Sequence, residues 1–153
     1  MEEAQLTLTA VVTGFLEQKG WSYVEMGDGS LMLRYDGQHA TWRCRVLVDE
    51  PRALVVYYSL FPAVVPAERR GAVVDFITRA NVGLVLGNFD FDVDRGELRY
   101  RTSIDVEGER LTPALLRHVV HANVLTMDRY LPGLVSVIQD GAAPAAALRT
   151  IEA

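Results

Sequence analysis

A helical pattern that passes directly into a β-hairpin constrains the fold of this chain more than any other feature. Up to Gly87 the apolar residues recur at helical spacing, and after it they alternate with charged residues. Phe89, Phe91 and Val93 alternate with aspartates, and from Leu98 onward apolar residues alternate mainly with arginines. Strict alternation predicts two strands, each with one buried and one exposed face, joined by a short turn.

The side chains of this hairpin also predict how its two strands pair. A loop with an even number of residues sets Phe91 opposite Tyr100 and Asp92 opposite Arg99, so that apolar residues face apolar ones and acids face bases. A three-residue loop would shift the register by one and oppose Phe91 and Arg99. We therefore expect an even-membered turn with Phe91 facing Tyr100.

The remaining patterns predict one α+β domain. Thr7 and Gly20 are suited to begin and end a first helix, and Thr112 followed by Pro113 to begin the last one. The predicted helices start near residues 7, 67 and 112, and the predicted strands cover residues 31–35, 41–49 and 54–61, with an irregular one over 21–26. The predicted order is therefore helix, three or four strands, helix, two strands, helix. We place the domain at residues 1–141, and we expect the alanine-rich residues 142–153 to form a loosely ordered tail.

Composition limits the classes of function. The net charge is −5, with 15 basic and 20 acidic residues, which disfavours nucleic-acid binding because phosphate contacts need clustered cations. Residues 1–5 are acidic rather than basic, and no apolar run approaches the ~20 residues that span a bilayer. The single cysteine, Cys44, falls on the apolar side of a predicted strand and is expected to be a buried, inert thiol. We expect a cytoplasmic protein with no membrane association.

Candidate reactive residues are few and poorly spaced. His118 and His121 lie one helical turn apart, with Asp128 seven residues further on, but a zinc site needs three or four ligands. The alternating aspartates of the hairpin face arginines in the expected register, so ion pairing explains them better than cation binding. No nucleophile has a neighbouring base motif. We expect no catalytic residues, no cofactor and no metal, and a protein that is not an enzyme.

The chain has more apolar surface than one copy is expected to bury. The helix that begins near residue 67 has a second apolar stripe beside its core stripe, and the strand over residues 54–61 is apolar on both faces. We expect a partner or dimer surface formed by Val74, Asn81, Val82, Val85, Tyr57 and Phe61.

Two asparagines in the middle of predicted helices require polar partners. An unpaired amide at Asn81 or Asn123 would cost stability, so each is expected to hydrogen bond. One alternative is a structural bond to another helix or to a strand end, and the other is a role in fixing the register of a dimer.

Several of these residues form a pattern that resembles the YbjN family, described as bacterial sensory transduction regulators. The matching segments are Arg79-Ala80-Asn81, residues 87–92 and 96–101, a proline at Pro62 or Pro66, Asn123, Asp128-Arg129-Tyr130 and Pro132. The resemblance implies the fold of type III secretion chaperones: an antiparallel sheet of about five strands with helices on one face, in the order α-β-β-β-α-β-β-α. It also implies homodimers that hold segments of client polypeptides, and it brings no catalytic residues.

Two main hypotheses of function follow. The first is a non-catalytic protein-binding module, regulatory or chaperone-like, that acts as a homodimer on a polypeptide partner. The alternative is a sensor of a small molecule or metal, with a pocket between the sheet and the last helix.

Overall fold

A six-stranded antiparallel sheet, with helices packed on one face, forms the framework of this computed structural model, which describes residues 6–153. The helices are α1 (Leu8–Gln18), α2 (Arg70–Gly83), α3 (Pro113–Gln139) and α4 (Pro144–Glu152), and a 3₁₀ turn, Ala67–Arg69, precedes α2. The strands are β1 (Tyr23–Glu25), β2 (Leu31–Asp36), β3 (Thr41–Asp49), β4 (Leu54–Leu60), β5 (Asn88–Asp92) and β6 (Glu97–Asp105). They lie in the order β1-β2-β3-β4-β6-β5. The predicted α+β class is confirmed, and the acidic residues 1–5 lie outside the described residues.

The sheet has six strands rather than about five, because the first strand, predicted to be irregular, pairs regularly with β2. β1 pairs with β2, with Tyr23 opposite Leu33. The turn between them is fixed by Asp28, whose carboxylate accepts hydrogen bonds from the Ser30 amide at 2.9 Å and the Ser30 hydroxyl at 2.6 Å. The side chain of Asp28 thus folds the turn that brings β1 back onto β2.

The hairpin of β5 and β6 has the predicted faces but not the predicted register. Phe91 pairs with Leu98, two residues from the expected Tyr100. Asp92 starts the turn early, because its carboxylate accepts the amides of Asp94 and Arg95, both at 3.1 Å, and its carbonyl accepts the Gly96 amide at 2.7 Å. A slip of two residues keeps every side chain on the same face of the sheet, so burial does not distinguish the two registers. The hydrogen bonds of Asp92 determine which register forms.

β4 is covered by helices on one face only. Val55, Tyr57 and Ser59 are fully buried beneath the helices, and Val56 and Leu60 on the other face are half-buried. The prediction that Tyr57 belongs to a partner surface is wrong, because its ring lies in the core. The apolar residues on the second face of β4 lie on the uncovered side of the sheet.

The alanine-rich end of the chain forms α4 instead of a loosely ordered tail. Ala147 and Leu148 are buried, and the Tyr130 hydroxyl donates to Glu152 at 2.9 Å. α4 approaches α3 closely at Gly133, where a Cβ atom would lie 2.2 Å from Ile151. The absence of a side chain at Gly133 allows this contact, and α3 continues through Pro132. In the part of the chain that the structure describes, none of the helices is both long and apolar enough to span a membrane.

Candidate partner-binding surface

An exposed group of apolar side chains lies where α2 runs into β5. Val82 is 87% exposed, Val85 92% and Leu86 66%, and we call these three residues the α2 patch. Val74, near the start of the helix, is 37% exposed. The second apolar stripe predicted for this helix faces solvent at Val74 and Val82, whereas Val85 is exposed beyond the end of α2 at Gly83.

The segment that carries the α2 patch is held firmly to the sheet. The Asn81 side chain accepts the Phe89 amide at 2.7 Å and donates to the Phe89 carbonyl at 3.2 Å. The Tyr100 hydroxyl donates to the Leu86 carbonyl at 2.5 Å. Gly87 has a φ of +87° and lies so close to β6 that a Cβ atom would be 2.4 Å from the Arg101 carbonyl oxygen. The patch is therefore displayed on a fixed backbone, which lowers the entropy cost of binding.

Asn81 has a structural role rather than a place in a contact surface. β5 is an edge strand, and the Asn81 amide binds both backbone groups of Phe89 as a neighbouring strand would. Phe61, the other residue predicted for this surface, is half-buried at the end of β4, and its amide donates to the Leu98 carbonyl at 2.8 Å. The predicted residues thus separate into an exposed group on α2 and three members used by the fold itself.

Asn123 joins α3 to the centre of the sheet. Its side chain is fully buried, and Nδ2 lies 2.8 Å from the Tyr57 carbonyl, 3.0 Å from the Tyr100 carbonyl and 3.2 Å from the Thr102 hydroxyl. The amide thus bonds to β4 and β6 together. Of the two alternatives for the mid-helix asparagines, the structural bond is the one observed at both positions.

Asp128 and Pro132 together attach the β2–β3 hairpin to α3. Proline has no amide proton, so Pro132 leaves the Asp128 carbonyl without its helical donor. The Nδ1 atom of His39 lies 3.0 Å from that carbonyl, and the Asp128 carboxylate accepts the amides of Gln38 and His39 at 2.8 and 2.9 Å. The residues quoted for the family resemblance thus build a connection between hairpin and helix.

We predict that Asp128→Ala destabilises the protein by about 2 kcal/mol, because the backbone amides of Gln38 and His39 lose their acceptor, while the His39 imidazole keeps the Asp128 carbonyl. Hydrogen exchange should accelerate in residues 36–41 more than in β6. The control is Asp140→Ala, since the Asp140 carboxylate is exposed and makes no hydrogen bond to any residue in 6–153. Equal effects of the two substitutions would contradict this role of Asp128.

The candidate reactive residues do not converge in the described part of the chain. Burial raises the pKa of the Cys44 thiol to about 11, which favours the protonated form, and the predicted burial of Cys44 is confirmed. Asp128 is engaged by the hairpin rather than by the two histidines of α3. Burial, with Lys19 and Arg117 nearby, lowers the pKa of His121. Within residues 6–153, no group of three or more metal-ligating side chains is close enough to hold an ion.

The uncovered face of the sheet carries a cleft that the sequence analysis missed. Its volume is about 730 Å³, and it lies between β3, β4 and β6 on one side and the loop over residues 61–64 on the other. Four arginines line it, Arg34, Arg43, Arg45 and Arg99. The alternation of arginine with apolar residues on β3 indicated that one face of this strand is exposed. It did not show that β2 and β6 contribute arginines to the same face of the sheet.

A second cleft, of about 720 Å³, is mainly apolar. It lies between α1, the end of β6 and the start of α3, and Val11, Phe15, Val106 and Leu111 are among its lining residues. Glu50 lies at its rim and accepts the amides of Leu8 and Thr9, at 3.2 and 2.9 Å, at the start of α1.

The fold first defines the class, an α+β protein built on a six-stranded antiparallel sheet with its helices on one face. A family model described as "YbjN: Putative bacterial sensory transduction regulator" matches residues 9–135, and the chain belongs to this family. The resemblance noted in the sequence is thereby confirmed. The order α-β-β-β-α-β-β-α that it implied is observed with one additional strand, β1, and one additional helix, α4.

Solved structures resemble this chain at low sequence identity. YbjN of E. coli, described as "a putative transcription regulator", aligns with a TM-score of 0.59 and 14% identity over 80% of this chain and 90% of that one. The structure described as "the ExsC-ExsE Complex" aligns with a TM-score of 0.41 and 14% identity, over 81% of this chain and 96% of that one. No curated protein matches the sequence.

Proposed function

We propose that this protein is a non-catalytic binding module, regulatory or chaperone-like, which forms a homodimer and binds a polypeptide partner. The observation that carries the proposal is the α2 patch, in which Val82 and Val85 are almost fully exposed on a fixed backbone. Apolar side chains grouped on a surface favour association, because burial of each one gains roughly 1.5–3 kcal/mol. The description of the family as regulatory supports the same conclusion.

The dimer is proposed to form on the α2 patch and the polypeptide partner to bind the dimer. A two-fold interface brings the same patch of both copies together, and a valine and leucine patch is complementary to itself. The Asn81 side chain already hydrogen bonds to the amide and the carbonyl of Phe89 beside the patch, so an interface there would not leave these two groups unpaired. Cytoplasmic localisation is part of this proposal.

Capture of a partner from an extract of the host tests the function. Immobilised wild-type protein is expected to retain a defined polypeptide in near-stoichiometric amount, whereas Val82→Glu/Val85→Glu should retain less than a tenth as much. Leu125→Glu is the matched control, because Leu125 is 60% exposed on α3 and lies outside the α2 patch. Loss of capture by the control, or equal capture by all three proteins, would contradict the proposal.

The second candidate function is a small-molecule or metal-responsive sensor, favoured by the apolar cleft between α1 and the start of α3. Clefts of this size and lining commonly hold drug-sized ligands. A ligand present at 100 times its dissociation constant raises the free energy of unfolding by about 2.7 kcal/mol. A thermal-shift screen of metals and metabolites in which nothing raises the melting temperature would count against this alternative.

A further inference from the structure

The arginine cleft on the uncovered face contains a pair of like charges that sheet stability does not explain. Arg34 lies directly opposite Arg43 on the neighbouring strand, and like charges in that position destabilise a sheet. Arg34 is 3.2 Å from Asp36, whereas Arg43 has no ion pair among residues 6–153. The chain thus concentrates arginines here although its net charge is −5.

The other two arginines of the cleft are held in place. Arg45 bonds to Asp28 and to the Ser30 hydroxyl. Arg99 donates to Asp90 at 2.8 Å, and its guanidinium carbon lies 4.3 Å from the centre of the Tyr58 ring. A guanidinium stacked on an aromatic ring keeps its free edge available for a carboxylate and loses little entropy on binding one.

Apolar surface lies next to these charges. Tyr58 and Leu60 line the cleft beside the arginines, and the loop over residues 61–64 forms one wall with the exposed side chain of Val64. The loop is fixed at both ends, because the amides of Phe61 and Val65 donate to the carbonyls of Leu98 and Gly96, both at 2.8 Å. The cleft therefore offers cationic and apolar contacts together on a rigid support.

We propose that this cleft binds an extended, acidic segment of the polypeptide partner; the inference rests on the proposed function and names the chemistry of that partner. Arg43 and Arg45 lie two residues apart on β3, so their positions are about 6.8 Å apart. Carboxylates on alternate residues of an extended peptide have the same spacing. Arg43 binds one such carboxylate together with Arg34, which lies directly opposite it on β2, and Arg45 lies beside the next carboxylate. An apolar side chain of the segment packs between Leu60 and Val64.

Two other occupants fit the cleft less well. A second copy of the chain in a two-fold interface would place the arginines of one copy against those of the other. A nucleic acid requires several cations along its phosphates, whereas Glu97 lines the cleft and Asp90 and Asp92 lie along the adjoining edge strand. An acidic peptide needs only the few arginines of β2 and β3, and β4 separates these from Glu97 on β6 and from the aspartates of β5.

Fluorescence anisotropy with three labelled probes tests this proposal. The first probe is a 12-residue peptide with glutamate at every second position and leucine and serine between, the second has glutamine in place of glutamate, and the third is a 12-nucleotide single-stranded DNA. We expect the wild-type protein to bind the glutamate peptide at least tenfold more tightly than either other probe. Binding should weaken as salt is raised, because the contacts are charged.

The matched variants are Arg34→Gln/Arg43→Gln in the cleft and Arg117→Gln/Arg149→Gln on the helices. Each pair removes two positive charges, and Arg117 and Arg149 are exposed outside the cleft. Affinity for the glutamate peptide should fall at least tenfold in the cleft variant and less than twofold in the control. Circular dichroism should be unchanged in both variants, and the melting temperature should not fall in either, because the cleft variant removes a pair of like charges that face each other.

Three results would overturn the proposal: equal binding of the glutamate and glutamine peptides, tighter binding of DNA, or equal affinities of the two variants. If the glutamine peptide binds wild type and both variants equally, only the acidic chemistry is wrong, and polypeptide binding stands. If neither peptide binds and capture from the host extract also fails, the proposed function is wrong as well.

Discussion

Asn123→Leu is expected to lower the free energy of unfolding by about 3 kcal/mol, although the leucine side chain has the same branched shape. The two carbonyls and the hydroxyl bonded to the Asn123 amide are buried with it, so they lose their donor without gaining water. Removal of the Asn123 carbonyl oxygen, which has no partner among the described residues, offsets part of this loss. Urea unfolding followed by circular dichroism measures the change.

Two further variants separate the effect of the lost hydrogen bonds from changes in side-chain shape and in helix propensity. Asn123→Asp keeps the shape but places a carboxyl against carbonyl oxygens, and burial raises its folded-state pKa above the unfolded value of about 3.9. Its loss of stability relative to wild type should therefore grow as the pH rises above about 4. Gln139→Leu, at the exposed end of α3, should change stability by less than about 0.5 kcal/mol. A flat pH profile for Asn123→Asp would show that the site is open to water.

Gly87→Ala is expected to cost about 3 kcal/mol and to disturb the α2 patch as well. The positive φ of Gly87 is strained for alanine, and the added Cβ would lie 2.4 Å from the Arg101 carbonyl oxygen and 2.7 Å from the Thr102 methyl carbon. Backbone atoms of β6 cannot yield as a flexible side chain could. The segment that presents Val85 and Leu86 must therefore move, and the proposed dimer should weaken with it.

Gly83→Ala provides the matched control for this prediction. Gly83 is the last residue of α2, and a Cβ atom there would meet nothing within 4 Å. Alanine favours a helix by up to about 1 kcal/mol over glycine, so the control should be as stable as wild type or more stable. If both glycine variants lose stability equally, close packing of Gly87 against β6 is not the cause.

Local chemistry explains which parts of the fold could be predicted from the sequence. Thr7 and Thr112 begin helices where predicted, because the hydroxyl of a capping threonine binds an amide three residues later in the same segment. The strand faces followed from alternation. The register of β5 and β6 did not, because a two-residue slip preserves both faces and the carboxylate of Asp92 determines where the turn begins.

For the candidate surfaces, too, only the features that depend on local residue patterns could be predicted. The exposure of Val82 could be predicted, since one helix cannot turn two stripes toward a single sheet, whereas Val85 is exposed past the end of α2. Tyr57 was wrongly assigned to the partner surface because both faces of its strand are apolar, and periodicity does not show which face the helices cover. The arginine cleft depends on the strand order β2-β3-β4-β6, and strand order is not visible in residue patterns. The order of residues 142–153 was not predicted because it depends on a distant residue, Gly133, which leaves room for Ile151 of α4 to pack against α3.

The mass of the protein in solution tests the central proposal most directly. Multi-angle light scattering of the wild-type protein at micromolar concentration should give twice the chain mass of 17.0 kDa. Val82→Glu/Val85→Glu should give 17.0 kDa with an unchanged circular dichroism spectrum. A wild-type protein that scatters as a single chain across this concentration range would contradict the proposal that the α2 patch joins two copies.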